Sequence, residues 1–193
     1  MQTTVPSPVI AAVVLPRSRA VSIGLVVGFA LLTALAAQVV IPLPFTPVPI
    51  TGQTFTVLLA GAALGATLAA TSMAVYLLLG AVGLPFYAEG SSGWEVVRGA
   101  TGGYLIGFIV AAWLVGKLAE RRQDRTVASA VPLFLLGSVV IYLFGVPWLA
   151  ASLGVNGTEA MVLGLVPFIV GDLLKVAVAG LLLPATWTLV TRL

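Results

Sequence analysis

The sequence predicts an all-α protein embedded in a membrane, and composition is the first reason. Hydrophobic residues make up 60% of the 193 residues and charged residues only 8%, with a mean hydropathy of +1.17. A soluble domain carries about a quarter charged residues, so this chain has too few polar side chains to cover a water-exposed globule. Several uncharged runs reach ~20 residues without the alternation of a barrel strand, which favours membrane-spanning helices.

The chain contains no cysteine and no histidine. This composition excludes disulfide bonds, thiolate or imidazole metal sites, cysteine nucleophiles and Ser-His triads. We therefore expect no catalytic residue, no metal and no cofactor apart from a bound ligand. Because no GxxxxGK[ST] loop occurs, any ATP-driven step belongs to a partner protein. We attribute the net charge of +3 to cytoplasmic loops rather than to nucleic-acid binding.

A single transmembrane domain over 1–193 is expected, and residues 1–19 are interpreted as its loosely ordered cytoplasmic tail. The first predicted helix covers the uncharged run 20–41. Within it, the four-residue spacing of Ala30 and Ala34 would let another helix approach closely. That spacing fits either an interface with a partner protein or ordinary packing inside the chain.

The next segment, 41–51, reads IPLPFTPVPIT, and its prolines forbid a helix. We predict an extended connector on the outer side of the membrane. The uncharged run 53–79 is too long for one span and short for two. A single crossing would separate the basic clusters at 17–19 and 117–125, which the positive-inside rule disfavours. Two short helices, 53–64 and 66–80, are therefore predicted, and they must tilt or be sheltered by neighbours.

Gln53 opens the first of these short helices, where its amide either caps the helix or points into a site. Residues 80–100 form a glycine-rich outer loop that carries Glu89, Arg98 and the aromatic Tyr87. Such a loop is a candidate lid over a ligand, with an interfacial loop anchored by aromatics as the alternative. A fourth helix, 101–116, then begins at Thr101, where free N–H groups would suit an anion.

The rest of the chain completes six predicted membrane helices. The sequence KLAERRQDR at 117–125 is expected to be the main cytoplasmic loop. A fifth helix follows at 126–144, then an outer connection at 145–164 and a sixth helix at 165–190. Arg192 closes the chain on the inner face, so both termini are predicted to be cytoplasmic.

Asp172 and Lys175 are the only charged residues in any predicted span, and their spacing places both on one helix face. An unpaired charge in lipid is costly, so such residues mark a functional site by default. A purely structural ion pair is the alternative. At ~1.5 Å per residue, they lie ~10–15 Å below the outer face, where the floor of an outward cavity is expected.

The residue types indicate a class of ligand without identifying it. An acid–base pair suits a neutral group with N–H donors and a carbonyl, or a zwitterion. Arg98 adds a group suited to a carboxylate, and Tyr87 and Tyr104 would wall an apolar body. A small amphipathic molecule captured from outside the cell is predicted. An intramembrane enzyme is a less favoured function, because only one carboxylate, Asp172, lies at depth in the membrane. A channel is also less favoured, because one acid and one base do not form a selective ring.

Four stretches of the sequence resemble the BioY family: VPITGQTFTVLLAG (48–61), YLLLGAVGLPFY (76–87), GATGGYLIGF (99–108) and GDLLK (171–175). These proteins are the substrate-binding S components of energy-coupling factor (ECF) transporters for biotin. The chain departs from the family pattern at Ala100, where a proline is usual. The resemblance implies a multi-pass protein of the bacterial cell membrane with six helices and an outward biotin pocket.

The resemblance also implies partners and site residues. A transmembrane coupling subunit and two cytoplasmic ATP-binding subunits would associate with the chain, with Ala30 and Ala34 as the contact. We expect the ureido group of biotin on Asp172 and Lys175 and its carboxylate near Arg98 or the 101–116 helix start, with the reverse orientation open. An S component for another vitamin is the alternative function. The expected substrate-binding residues are Asp172, Lys175, Arg98, Glu89, Tyr104, Thr101, Tyr87 and Gln53.

Overall fold

The computed structural model describes residues 9–16 and 18–190, and over these ranges the chain is mainly helical. A short antiparallel ladder joins β1 (Val40–Ile41) to β2 (Ile50–Thr51), and 3-10 turns cover Ala88–Gly90 and Val166–Phe168. The helices are α1 (Ile10–Val14), α2 (Arg19–Ala37), α3 (Gln53–Leu64), α4 (Ala66–Ala81), α5 (Trp94–Arg98), α6 (Gly102–Ala119), α7 (Val127–Leu153), α8 (Gly157–Gly164) and α9 (Ile169–Val190). The prediction of an all-α protein is confirmed.

Four helical stretches in the described part of the chain are long and apolar enough to cross a membrane. They are Arg19–Ala37, Gly102–Ala119, Val127–Leu153 and the α8–α9 stretch Gly157–Val190. The helices α3 and α4 are apolar but shorter, with 12 and 16 residues. Their bounds agree closely with the predicted 53–64 and 66–80. Arg17 and Arg192, two of the basic residues from which the topology was predicted, lie outside the described residues.

The short helices are sheltered because glycines bring them close to α6. Gly65 separates α3 from α4 with a φ of +82°, a left-handed conformation that glycine adopts without strain. A Cβ added to Gly116 on α6 would come within 2.4 Å of the backbone nitrogen of Ala66. Most of α3 is buried as a result. A span shorter than the bilayer thickness is tolerable where neighbouring helices cover it.

The predicted outer connection at 145–164 is wrong over most of its length. The helix α7 continues through Pro147 to Leu153, and α8 forms after Asn156 caps its first turn through Glu159 N, 2.9 Å away. Pro147 lies within the predicted connection, and a proline is unfavourable inside a helix because it lacks an N–H. The helix persists because Gly145 packs directly on the Tyr104 ring and Leu149 is fully buried. Packing between helices therefore outweighs the local turn signal.

The N-terminal segment differs from the loosely ordered tail expected over 1–19. Its described part contains α1, which packs against α3 and α9, and Val9 is buried. Every residue from 9 to 15 is apolar, so this short helix can pack against its neighbours. Residues 1–8 lie outside the described part of the chain.

Ala30 and Ala34, the predicted partner interface, lie against another helix of the chain. Their exposed fractions are 0% and 7%, and the helix α2 packs this face against α4. Ser72 on α4 donates to the Val26 carbonyl over 2.7 Å, which shows how closely the two helices approach. Small residues thus serve packing inside the chain. The outer face of α2 instead presents Gly24 and Gly28, and no atom of the described residues lies within 4 Å of a Cβ added at either.

A buried polar cluster fastens the α6–α7 loop to the end of α9. The Asp124 carboxylate is fully buried and accepts a hydrogen bond from the Trp187 indole. The Arg125 guanidinium lies 3.1 Å from the centre of the Trp187 ring and faces Asp124. Burial raises the pKa of Asp124 above its ordinary value and lowers the pKa of Arg125. The loop is therefore held to the bundle rather than freely solvated.

The Gly116 contact predicts a measurable loss of stability. In Gly116→Ala, the new methyl group collides with backbone atoms of Gly65 and Ala66, so α6 must move away from α4. Overpacking of this kind costs about 1–3 kcal/mol, and we expect a lower thermal unfolding midpoint in detergent. Gly24→Ala is the control, because it has open space and gains helix propensity. Equal midpoints for the two variants would contradict this packing.

Candidate functional site

A cavity of about 270 Å³ lies between the helix ends and two loops. Its volume is close to the lower end of the ~300–1,000 Å³ of small-ligand pockets. One face of α6 lines it, through Thr101, Tyr104, Leu105 and Phe108. Residues 42–49, here called the proline segment, and residues 87–91, here called the rim loop, supply the walls at the loop end. The helices α3, α7 and α9 also line the cavity, through Gln53, Thr54, Ile141, Tyr142, Asp172 and Lys175.

Asp172 and Lys175 meet inside this cavity as the sequence predicts. The Lys175 Nζ lies 2.9 Å from the Asp172 Oδ1, and both line the cavity from α9. The Thr54 hydroxyl donates to the same carboxylate oxygen over 3.2 Å and accepts from Lys175 over 2.8 Å. The Tyr142 hydroxyl donates to the Asp172 Oδ2. These four residues are called the floor below.

The floor keeps hydrogen-bonding capacity for a ligand. An ammonium group has three protons, and Lys175 uses two of them on Thr54 and Asp172. A carboxylate has about four acceptor positions, and Asp172 uses three among the described residues. One strong donor and one acceptor position therefore remain beside each other. The floor pair is also electrically neutral as a whole.

Two tyrosines that the sequence singled out form the apolar walls. The Tyr104 hydroxyl donates to the Gly164 carbonyl over 2.8 Å, and its ring meets the Tyr142 ring edge-to-face at 6.3 Å. The Tyr87 hydroxyl donates to the Leu77 carbonyl over 2.6 Å. Burial raises the pKa of Tyr87 to about 12, which keeps this hydroxyl a neutral donor. Both hydroxyls are engaged by protein, so the rings rather than the oxygens face a ligand.

The Gln53 amide lines the cavity but is largely used by its neighbours. It is buried, its Oε1 accepts from Thr51 over 2.7 Å, and its Nε2 donates to the Tyr76 hydroxyl. One amide proton remains without a partner among the described residues. Gln53 therefore fixes the start of α3 and offers at most one donor to a ligand.

The predicted rim residues divide into those that line the cavity and one that does not. Thr101 and Glu89 both line it, and Glu89 is exposed with a φ of +58°, unusual for a non-glycine residue. Arg98 lies exposed at the end of α5 and does not line the cavity, whereas Val96 of the same helix does. Among the described lining residues, Lys175 is the only one that carries a positive charge.

Thr54 and Tyr142 are site residues that were not predicted from the sequence. Thr54 follows the predicted Gln53 directly, and one hundred degrees of helical rotation turn it toward α9. Tyr142 carries a hydroxyl in the middle of the apolar α7, where a buried hydroxyl needs a partner. That need was a usable signal, because Asp172 was the one acid predicted at depth.

Comparison with known proteins gives a consistent result. The family model described as "BioY family" matches residues 9–192. The probable biotin transporter BioY of Pyrococcus horikoshii is 41% identical over 161 residues, covering 83% of this chain and 93% of that protein. The biotin transporter BioY of Rhizobium etli is 39% identical over 160 residues, covering 79% and 85%.

A solved structure shares the fold. It is a crystal structure of the S-component for biotin from an ECF-type ABC transporter, with a TM-score of 0.81 and 22% identity. The match covers 90% of this chain and 95% of that chain. The resemblance noted from the four sequence stretches is thereby confirmed. This chain is an integral membrane protein and belongs to the BioY family.

Proposed function

We propose that this protein is the substrate-binding subunit of an ECF-type transporter and captures biotin from outside the cell. The observation that carries the proposal is the floor: an ion pair with spare donor and acceptor capacity inside a cavity of ligand size. The names of the relatives, which are biotin transporters, support biotin as the ligand. A transport role, rather than an enzymatic one, fits a family of transporters.

The proposal includes a topology in which one domain, 1–193, crosses the membrane six times. The crossings are α2, α3, α4, α6, α7 and the α8–α9 stretch, with both termini in the cytoplasm. Lys117, Arg121 and Arg122 at the α6–α7 loop support a cytoplasmic position for that end of the bundle. The proline segment and the rim loop lie at the other end. The cavity mouth then faces the cell exterior.

The ureido ring of biotin matches the free capacity of the floor. It has two N–H donors and one carbonyl oxygen. An N–H would donate to the remaining acceptor position on Asp172, and the carbonyl would accept the remaining Lys175 proton. Because both partners are charged, these hydrogen bonds belong to the stronger class, ~1.5–3 kcal/mol each. The rings of Tyr87 and Tyr104 would cover the apolar thioether ring.

The carboxylate of biotin is assigned to the mouth because it stays hydrated there, although the acidic Glu89 lines that end of the cavity. The neutral floor pair gives no net attraction for an anion, and Asp172 would repel it. A carboxylate at the mouth stays hydrated and avoids the cost of burying a charge. Thr101, at the start of α6, lines the cavity and offers a hydroxyl donor there. Arg98 would have to change position to contribute, since it lies outside the cavity wall.

A coupling subunit and two ATP-binding subunits are the proposed partners, in line with the ECF-type ABC transporter of the structural relative. The outer face of α2, with Gly24 and Gly28 uncovered, is the proposed contact for a helix of the coupling subunit. Glycines at this spacing let two helix backbones approach closely in a membrane. This face replaces Ala30 and Ala34, which are buried.

Removing either charge of the floor should weaken biotin binding. We expect Asp172→Asn and Lys175→Ala each to raise the Kd at least about tenfold, because a charge-assisted hydrogen bond is lost. Calorimetry of the detergent-purified variants measures this. Glu159→Gln and Lys117→Ala, which change charges outside the cavity, should bind like the wild type. Unchanged affinity in both floor variants, or tighter binding of another vitamin in a competition panel, would refute the assignment.

The proposed orientation predicts how biotin analogues bind. Biotin methyl ester should bind within about threefold of biotin, because the carboxylate lies at the hydrated mouth. Biotin methylated on a ureido nitrogen should lose at least about tenfold, because it cannot donate to Asp172. Competition against labelled biotin gives both values. The opposite ranking would show that the carboxylate lies on Lys175.

The α2 face predicts a variant that separates assembly from binding. The double change Gly24→Leu and Gly28→Leu should abolish copurification with the coupling subunit, because the bulky side chains keep a partner helix away. Biotin affinity should stay unchanged, since neither residue lines the cavity. Val139→Leu, on the exposed face of α7, is the control for added bulk. Normal assembly of the double variant would exclude this face as the contact.

A further inference from the structure

Gln38, which directly follows α2, connects the two walls of the cavity mouth. Its Nε2 donates to the Tyr87 carbonyl over 3.1 Å and to the Ala34 carbonyl over 3.0 Å. Its Oε1 accepts from the Gly90 N–H over 2.9 Å. Two of these three bonds reach the rim loop, about fifty residues away in the chain. The amide therefore uses both of its protons and one acceptor position on backbone groups.

The opposite wall is attached to the same end of α2. The proline segment begins just after β1, and the β1–β2 ladder closes its base through the pairs Val40–Thr51 and Ile41–Ile50. The Gly52 N–H also bonds to the carbonyls of Ala36 and Val39, at 3.1 and 3.3 Å. The end of α2 is thus attached to the proline segment through backbone hydrogen bonds and to the rim loop through the Gln38 side chain.

The rim loop needs such an attachment. Glu89 and Gly90 both have positive φ, +58° and +68°, and Glu89 lines the cavity. A non-glycine residue persists in this conformation only where the surroundings hold it. The bonds from Gln38 flank Glu89 on both sides, at the Tyr87 carbonyl and the Gly90 N–H.

We propose that Gln38 is a positioning residue: it holds the rim loop at a fixed distance from the proline segment and so sets how long a ligand stays in the cavity. Gln38 is not among the described residues that line the cavity, so it would act on a ligand only through the loop. The effect on how long a ligand stays rests on the proposed function, which is ligand capture. The effect on the position of the rim loop can be tested without any ligand.

The isosteric variant Gln38→Glu tests the hydrogen bonds rather than the packing. A carboxylate still accepts from the Gly90 N–H, but it loses both donors and faces the Tyr87 carbonyl with a negative charge. We expect Gln38→Glu to release the loop at least as strongly as Gln38→Ala. Gln123→Glu, an exposed glutamine in the α6–α7 loop, is the matched control.

The first readout needs no ligand. Because the chain has no cysteine, spin labels can be placed at Phe45→Cys in the proline segment and Glu89→Cys in the rim loop. The distribution of distances between the labels should be narrow with Gln38 and with Gln123→Glu. It should become broad or shift to longer distances with Gln38→Glu and Gln38→Ala. A narrow, unshifted distribution in both Gln38 variants overturns the inference.

The second readout is the dissociation rate of biotin from the unlabelled protein. Gln38→Glu loses one hydrogen bond to the rim loop and places a negative charge beside the Tyr87 carbonyl, which together should speed dissociation about tenfold. The thermal unfolding midpoint without ligand should fall little, because the side chain is exposed. A lower midpoint with an unchanged dissociation rate would mean a merely structural role and overturn the inference. If the wild type itself fails to bind biotin, the proposed function fails, and the label distances alone decide the role of Gln38.

Discussion

The interaction on which the site depends is the ion pair between Asp172 and Lys175 inside an apolar bundle. Isolated charges in such surroundings are strongly unfavourable, so the pair requires partners on other helices. Thr54 from α3 and Tyr142 from α7 supply them. Three helices must therefore converge at one point, and the cavity forms above that point. The same requirement leaves a polar surface that is only partly satisfied by the protein.

The convergence is possible because the helices around the cavity approach closely. The helix α6 lies between α4 and α7, and glycines on it meet backbone atoms on both sides, such as Gly116 at Ala66 and Gly107 at Ile141. Close packing lets α3 and α4 remain short without exposing polar backbone to lipid. Short helices in turn leave room above them for the proline segment and the rim loop. Helix packing thus determines both the depth of the cavity and the space in which the proline segment and the rim loop cover it.

The sequence predicts the helices well where composition alone decides and less well where packing competes. The distribution of basic residues correctly predicted that 53–80 forms two helices. The i, i+3 spacing correctly predicted that Asp172 and Lys175 lie side by side on one helix face. The prediction of an outer connection at 145–164 was wrong because α7 continues through Pro147, where packing by neighbouring helices outweighs the missing N–H. The spacing of Ala30 and Ala34 identifies a close contact but does not identify its partner. The polar partners of the floor come from distant helices, which no local pattern in the sequence specifies.

The most direct test of the central claim is a structure of the protein with biotin bound. The account predicts the ureido ring at the floor, with a ring nitrogen within hydrogen-bonding distance of the Asp172 carboxylate and the ureido oxygen facing the Lys175 ammonium. Biotin bound elsewhere, or a floor pair that turns toward lipid when the ligand is present, would contradict it.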